Sequence, residues 1–206
     1  IKVIEGVSMA SIGSNINYQE RDDLLLITFS KGTTTAGVFT KSSTSSAAVA
    51  WSKKNIRSTD ARAIIINAGN ANVFTGKAGF DAVKKIVSTT ASSLKISKKE
   101  VLIAQTGVIG EPLDYIKIIK CISNLTKTQK DDHWLAGAKA IMTTDTFPKH
   151  YSLSFKVGNK KINITGIAKG SGMIAPNMAT MLSFISTDLN ISKTILQKLL
   201  QEISEE

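Results

Sequence analysis

Ala63-Ile64-Ile65-Ile66-Asn67-Ala68-Gly69-Asn70-Ala71-Asn72-Val73-Phe74-Thr75-Gly76 is the stretch that decides the fold class. Residues 63–66 form a short, apolar, β-branched run, the composition of a buried strand. The run ends in glycines and asparagines, which tolerate positive φ and bond their own backbone in turns. A helix follows: Val83, Ile86, Val87 and Leu94 keep helical spacing, with Lys84 and Lys85 facing out. Strand, turn and helix in succession is the building unit of an α/β protein.

Working outward, residues 24–29 and 36–39 read as strands around the Lys31-Gly32-Thr33 turn. Residues 101–104 form another strand, followed by a glycine-containing turn and a helical stretch over 115–122. The pattern predicts a helix over 133–142. Residues 151–157 and 161–167 read as a hairpin joined through Gly158-Asn159. A further strand covers 181–185. Ser192 is placed to cap a last helix whose apolar face is Ile195, Leu196, Leu199 and Ile203. No internal repeat, linker or low-complexity segment interrupts the chain. The expectation is one α/β domain over 1–206, built of layered sheets flanked by helices.

Composition narrows the chemistry. The 206 residues suffice for one substantial core. No apolar run approaches the ~20 residues that cross a bilayer, so no membrane partner is expected. Cys121 is the only cysteine, which excludes an internal disulfide and a cysteine-based zinc site. His133 and His150 are the only histidines, too few for a His-rich metal site, and they give a Ser-His-Asp triad little support. No metal is expected, and nucleophilic catalysis must find another base. The net charge of +10 comes almost wholly from lysine. Pairs such as Lys53-Lys54, Lys98-Lys99 and Lys160-Lys161 are scattered and lack interleaved aromatics. Arginine, which base readout favours, is scarce. A solvated lysine surface is therefore preferred to a nucleic-acid site. The chain starts at Ile1 and stops at Glu206 directly after a helical pattern; truncation at both ends is the expectation.

Unusual residues collect in four turns. In the 67–76 turn, Gly69 and Gly76-Lys77 invite comparison with a phosphate loop. Six residues separate the glycines where that loop has four, and Ala78 stands where a magnesium-binding hydroxyl belongs. A tight structural turn is preferred. Gln105-Thr106-Gly107-Val108-Ile109-Gly110 could supply an oxyanion hole or be a plain turn. The hydroxyls of Thr143-Thr144-Asp145-Thr146-Phe147-Pro148-Lys149 could bind a substrate or satisfy local backbone. The fourth is Lys169-Gly170-Ser171-Gly172-Met173-Ile174-Ala175-Pro176-Asn177-Met178-Ala179-Thr180-Met181-Leu182. Its glycines loosely match a dinucleotide fingerprint. A strand rather than a helix is expected after it, and Asp188 comes too early for the acidic partner, so that reading is rejected. Lys169 beside glycine reads as an anion clamp or as part of a simple connector.

Together and in this order, with Ala36-Gly37-Val38-Phe39-Thr40 before them, these segments resemble the bifunctional ornithine acetyltransferase (glutamate N-acetyltransferase) family. The resemblance runs from about Asp23 onward, and the last segment is its most specific part. It implies an α-β-β-α sandwich, incomplete here. It implies a precursor that cuts itself between Ala179 and Thr180, leaving 1–179 as a first chain and 180–206 as the start of a second. Thr180 then becomes the nucleophile. A threonine hydroxyl needs a nearby base. An α-amino group is neutral roughly a tenth of the time at pH 7, a lysine amine less than about a thousandth. Cutting thus creates a usable base on the nucleophile's own residue.

The same resemblance implies ping-pong acetyl transfer in arginine biosynthesis, from N-acetylornithine to glutamate through acetyl-Thr180. Thr106 and Gly107 match the oxyanion-hole pair; Thr143 and Lys169, with Thr180, match substrate-binding positions. No cofactor is implied, although some members accept acetyl-CoA as donor. The expected partners are the small substrates and the missing C-terminal half, in a hetero-oligomer of cleaved chains. Two departures stand out. Ala47-Ala48-Val49-Ala50 lacks the family's proline after the paired alanines, and the family's second-half residues, an acidic one included, are absent. Three functions follow for testing: an acetyltransferase, a truncated and uncleaved remnant acting as a structural or interaction protein, and, least favoured, a nucleic-acid-binding domain. The expected location is the cytoplasm, or the mitochondrion in a eukaryote.

Overall fold

The computed structural model describes residues 1–172 and 181–205. Seven strands, five α-helices and one short 3-10 helix (Lys98–Glu100) are laid out in it, the strands forming two sheets.

The first sheet has the order β1-β2-β3-β4, from β1 (Val7–Ile12), β2 (Leu24–Phe29), β3 (Ala63–Asn70) and β4 (Val101–Val108). β1, β2 and β3 pair antiparallel; β3 and β4 pair parallel. The parallel pair is joined through α2 (Gly76–Leu94), as a parallel connection requires. Residues 24–27 are all buried because both faces of this sheet are covered. Leu24, Leu26, Ala63, Ile65, Val101 and Ile103 pack under α1 (Ala47–Ser58), α2 and α3 (Tyr115–Lys127). Leu25, Ile27 and Ile66 face the opposite way, toward Met9, Trp134 of α4 (Trp134–Ala140) and Ile167.

The second sheet is an antiparallel meander, β5-β6-β7: β5 (Lys149–Val157), β6 (Lys160–Lys169) and β7 (Leu182–Thr187). The two-residue Gly158-Asn159 turn sets the hairpin register, with Gly158 at φ +59°. Ile167, Leu182 and Phe184 turn inward onto the first sheet and α4. The other face, with Tyr151, Leu153, Phe155 and Ile185, is exposed.

Most sequence-predicted elements are present, several longer than expected. The strand expected over 36–39 is not formed. There the main chain of Gly37 is bonded by a side chain instead: its N–H donates to Gln197 Oε1 at 3.1 Å, and its carbonyl accepts from Gln197 Nε2 at 3.2 Å. A glutamine amide of α5 (Lys193–Glu205) thus takes the place of a neighbouring strand. One strand and one α-helix were not foreseen. β1, Val-Ser-Met-Ala-Ser-Ile, has too few large apolar residues to declare itself. α1 begins where the missing proline drew notice: Ser46 caps it by accepting from Val49 N–H, and Ala47 and Ala48 are buried in its first turn.

Candidate functional site

β3 and β4 end together, and their ends are shaped by a matched pair of glycines. Gly69 and Gly107 face each other in register, at φ +110° and +133°. A Cβ on Gly107 would fall 2.2 Å from the Gly69 carbonyl carbon and 2.5 Å from Asn70 N. No side chain fits, so the Thr106-Gly107 backbone is held to this course by tertiary contact.

The turn after β3 is closed on itself. Gln105 Nε2 donates to Asn67 Oδ1 at 2.8 Å, and Asn72 Nδ2 donates to Gln105 Oε1 at 3.0 Å and to the Gly79 carbonyl at 3.1 Å. Thr75 Oγ1 donates to Asn72 Oδ1 at 2.7 Å. These buried amides satisfy one another rather than a ligand, which is how a structural turn keeps polar groups inside.

Against these strand ends lies a charged cluster. Lys169, the last residue of β6, has a side chain only 2% exposed. Its ammonium donates to Thr143 Oγ1 at 2.6 Å and to Thr106 Oγ1 at 3.4 Å, and lies 3.9 Å from Asp145 Oδ2. Asp145, with a fully buried side chain, accepts from Lys149 Nζ at 2.6 Å. It also accepts from the N–H of Gly170 at 2.8 Å and of Thr143 at 3.2 Å. One carboxylate thus joins the segment between α4 and β5 to the end of β6.

The ionisation of this cluster follows from its contacts. Burial raises the Asp145 carboxyl, but the Lys149 hydrogen bond, the Gly170 and Thr143 N–H groups and the Lys149 charge outweigh it and bring it to about 2. Burial pushes the Lys169 ammonium below its ordinary range; Asp145 opposes that shift, and the Lys149 charge adds to it.

An ammonium donating to a hydroxyl oxygen leaves that hydroxyl's own hydrogen free to point elsewhere. Thr143 and Thr106 are therefore prepared as donors toward an anion or a developing oxyanion, with positive charge behind them. Lys169 itself is committed to protein partners. The partly exposed charge beside it is Lys149, at 33%, over the Phe147 ring at 4.7 Å.

Of the sequence-predicted site residues, Thr106, Gly107, Thr143 and Lys169 come together. Ala179 and Thr180 lie outside the described residues. Asp145 and Lys149 were missed as site residues. Both stand in the threonine- and proline-bearing turn that the sequence singled out, but nothing local shows that its carboxylate meets Lys169. Among the described residues no three His, Cys, Asp or Glu side chains converge as metal ligands would, and no helix is long and apolar enough to cross a membrane.

Comparison with known proteins follows the same lines. The sequence model of the ArgJ family matches residues 8–206. The chain is 47% identical over 203 residues to the arginine biosynthesis bifunctional protein ArgJ of Bartonella henselae, covering 98% of this chain and 50% of that protein. It is 48% identical over 199 residues to the protein of the same name from Bradyrhizobium diazoefficiens, covering 97% and 48% respectively. Among solved structures it is similar to ArgJ of Bacillus halodurans, with a TM-score of 0.79 and 33% identity over 85% of this chain and 92% of that one. It is also similar to an ornithine acetyltransferase of Mycobacterium tuberculosis solved in complex with ornithine, with a TM-score of 0.72 and 28% identity over 85% of this chain and 94% of that one. The chain spans about half the length of the curated relatives it matches.

Proposed function

The chain belongs to the ArgJ family, whose curated members are named for arginine biosynthesis, and we propose that it is the first half of an acetyltransferase moving acetyl from N-acetylornithine to glutamate. The observation that carries this reading is the convergence of Lys169, Thr143 and Thr106 beside the Gly107 strand end, at the entry to the segment that holds Thr180.

The steps follow from the residue chemistry. Water hydrolyses the Ala179–Thr180 bond, leaving a carboxylate on Ala179, and the freed α-amino group of Thr180 takes the proton of its own hydroxyl. The Thr180 oxygen bonds to the acetyl carbon of N-acetylornithine. The carbonyl electrons move onto oxygen, where the Thr106-Gly107 region stabilises the charge; removing one such donor typically costs about 3–4 kcal/mol. The C–N bond then breaks, and ornithine leaves with the proton. The glutamate amine attacks the acetyl-threonine ester, the acyl C–O bond breaks, the amine's proton passes back to the Thr180 oxygen, and N-acetylglutamate leaves. No cofactor enters these steps; acetyl-CoA could serve as an alternative donor to Thr180. The cytoplasm is the expected location.

Two features support a partner chain. The exposed apolar face of the second sheet would be covered by the half that curated relatives have and this chain lacks. The solved relatives, by contrast, are nearly covered end to end. They are therefore chains of about half the curated length, as division near Thr180 would produce. The proposed assembly is a hetero-oligomer of 1–179 with a second chain that begins at Thr180.

Intact mass under denaturing conditions, beside Thr180→Ala, tests the reading. Two fragments split at Ala179–Thr180 in the parent and one chain in the variant are expected, with acetyl transfer when the missing half is supplied. One uncut chain in both, with no transfer after that addition, would establish the alternative: an uncleaved remnant with a structural or interaction role.

A further inference from the structure

We propose that Asp145 is a positioning residue of this site: its carboxylate holds the Lys169 ammonium against the hydroxyls of Thr143 and Thr106 and ties the Gly170 backbone to the same point. What the site is for rests on the acetyl-transfer reading; the role of Asp145 within it rests on geometry alone.

An ammonium in a side chain 2% exposed is costly unless it is paired and fully hydrogen-bonded. The groups facing Lys169 are Thr106 from β4, Thr143 and Asp145 from the segment after α4, and Lys149 at the start of β5. Asp145 is the negative charge among them. Without it, two lysines would share a pocket with no counter-charge, and the buried one would shed its proton more readily. A neutral Lys169 amine could accept a hydrogen bond as well as donate one. The threonine hydroxyls would then no longer be turned outward as a set.

Asp145 also fixes backbone. Its Oδ1 accepts from Gly170 N–H and Lys149 Nζ, and its Oδ2 accepts from Thr143 N–H. Gly170 opens the connection from β6 toward residues 173–180. One side chain therefore sets both the charge behind the threonines and the position of the Gly170 backbone. Lys149 has the opposite electrostatic effect: it competes for the same carboxylate and repels Lys169.

The test follows the Lys169 Cε–Hε NMR resonance against pH in the whole chain carrying 13C-lysine, assigned by its loss in Lys169→Met. Asp145→Asn is expected to lower the Lys169 titration midpoint by about one pH unit or more. Asp145→Glu is expected to restore most of that shift, and Lys149→Met to raise the midpoint, while surface lysines stay fixed. A midpoint unmoved in Asp145→Asn, or one that Glu fails to restore, overturns the proposal. If Asp145→Asn does not fold, Lys149→Met decides: a midpoint unmoved or lowered overturns it. A general loss of structure would end the burial of Lys169 and move its midpoint up toward the ordinary lysine range, opposite to the expected direction, which separates positioning from mere folding. No turnover is needed, so failure of the acetyl-transfer reading and failure of this one are told apart.

Discussion

The two sheets differ in both composition and covering: β2, β3 and β4 are mostly Leu, Ile, Val and Ala, whereas β5 and β6 interleave Lys, Ser and Thr with their apolar residues. The first is covered on both faces, by α1, α2 and α3 on one side and by α4 and the second sheet on the other. The second is covered on one face; on the other, Tyr151 is 72% and Ile185 64% exposed. Monomeric proteins seldom leave such an apolar sheet face uncovered. In this chain a core covered on both faces therefore stands beside a layer that is open on one face. The proposed site lies at the seam, where Lys169 leaves the second sheet and Thr106 and Gly107 end a strand of the first.

Side-chain truncation should affect the two sheets very differently. Leu25→Ala, in the first sheet, removes a fully buried side chain and is expected to cost about 2–5 kcal/mol in denaturant unfolding. The same change at Leu153, 39% exposed on the outer face of the second, should stay within about 0.5 kcal/mol. A similar cost at both positions would mean that the outer face is already covered in solution.

Acid unfolding probes the seam. Asp145 has its carboxyl lowered to about 2 from 3.8. A depressed carboxyl contributes stability that is present above its unfolded value and is lost as pH falls through its folded value. The window is therefore about pH 4 down to about 2, and the loss about 2 kcal/mol. Asp145→Asn should abolish that pH dependence in denaturant midpoints, and a slope unchanged in the variant would remove Asp145 from the seam.

The smallest effect sharpens the contrast. Leu153→Ser should leave stability within about 0.5 kcal/mol and lower the binding of a hydrophobic dye to the native chain. Supplying the missing half should lower dye binding further. Unchanged dye binding in the variant would show that this face is not the surface the dye meets.

Legibility in the sequence followed periodicity. Residues 24–29, 63–66 and the 151–167 hairpin could be read because strand residues buried or half-buried in runs and alternations leave a local pattern. β1 could not, since Ser8, Ala10 and Ser11 dilute its apolar face. Residues 36–39 misled because a valine-phenylalanine run beside glycine looks the same whether its backbone meets a strand or Gln197. In the site, Thr106, Gly107, Thr143 and Lys169 were named by resemblance. The role of Asp145 was not, because a carboxylate among threonines reads locally as a turn residue.

By itself the sequence determined the α/β class, the lysine-borne charge, the lack of a cysteine framework and, through its motifs, membership of the ArgJ family. Each of these is carried by residue types or short spacings, which a chain displays before it folds. Only the tertiary structure decided that Gly69 and Gly107 must both be glycine, that Gln197 replaces a strand, and that Asp145 stands between Lys149 and Lys169. The deciding contacts, Gly69 with Gly107, Gly37 with Gln197 and Asp145 with Lys169, join residues far apart in the chain and are fixed by tertiary packing, not by any local pattern.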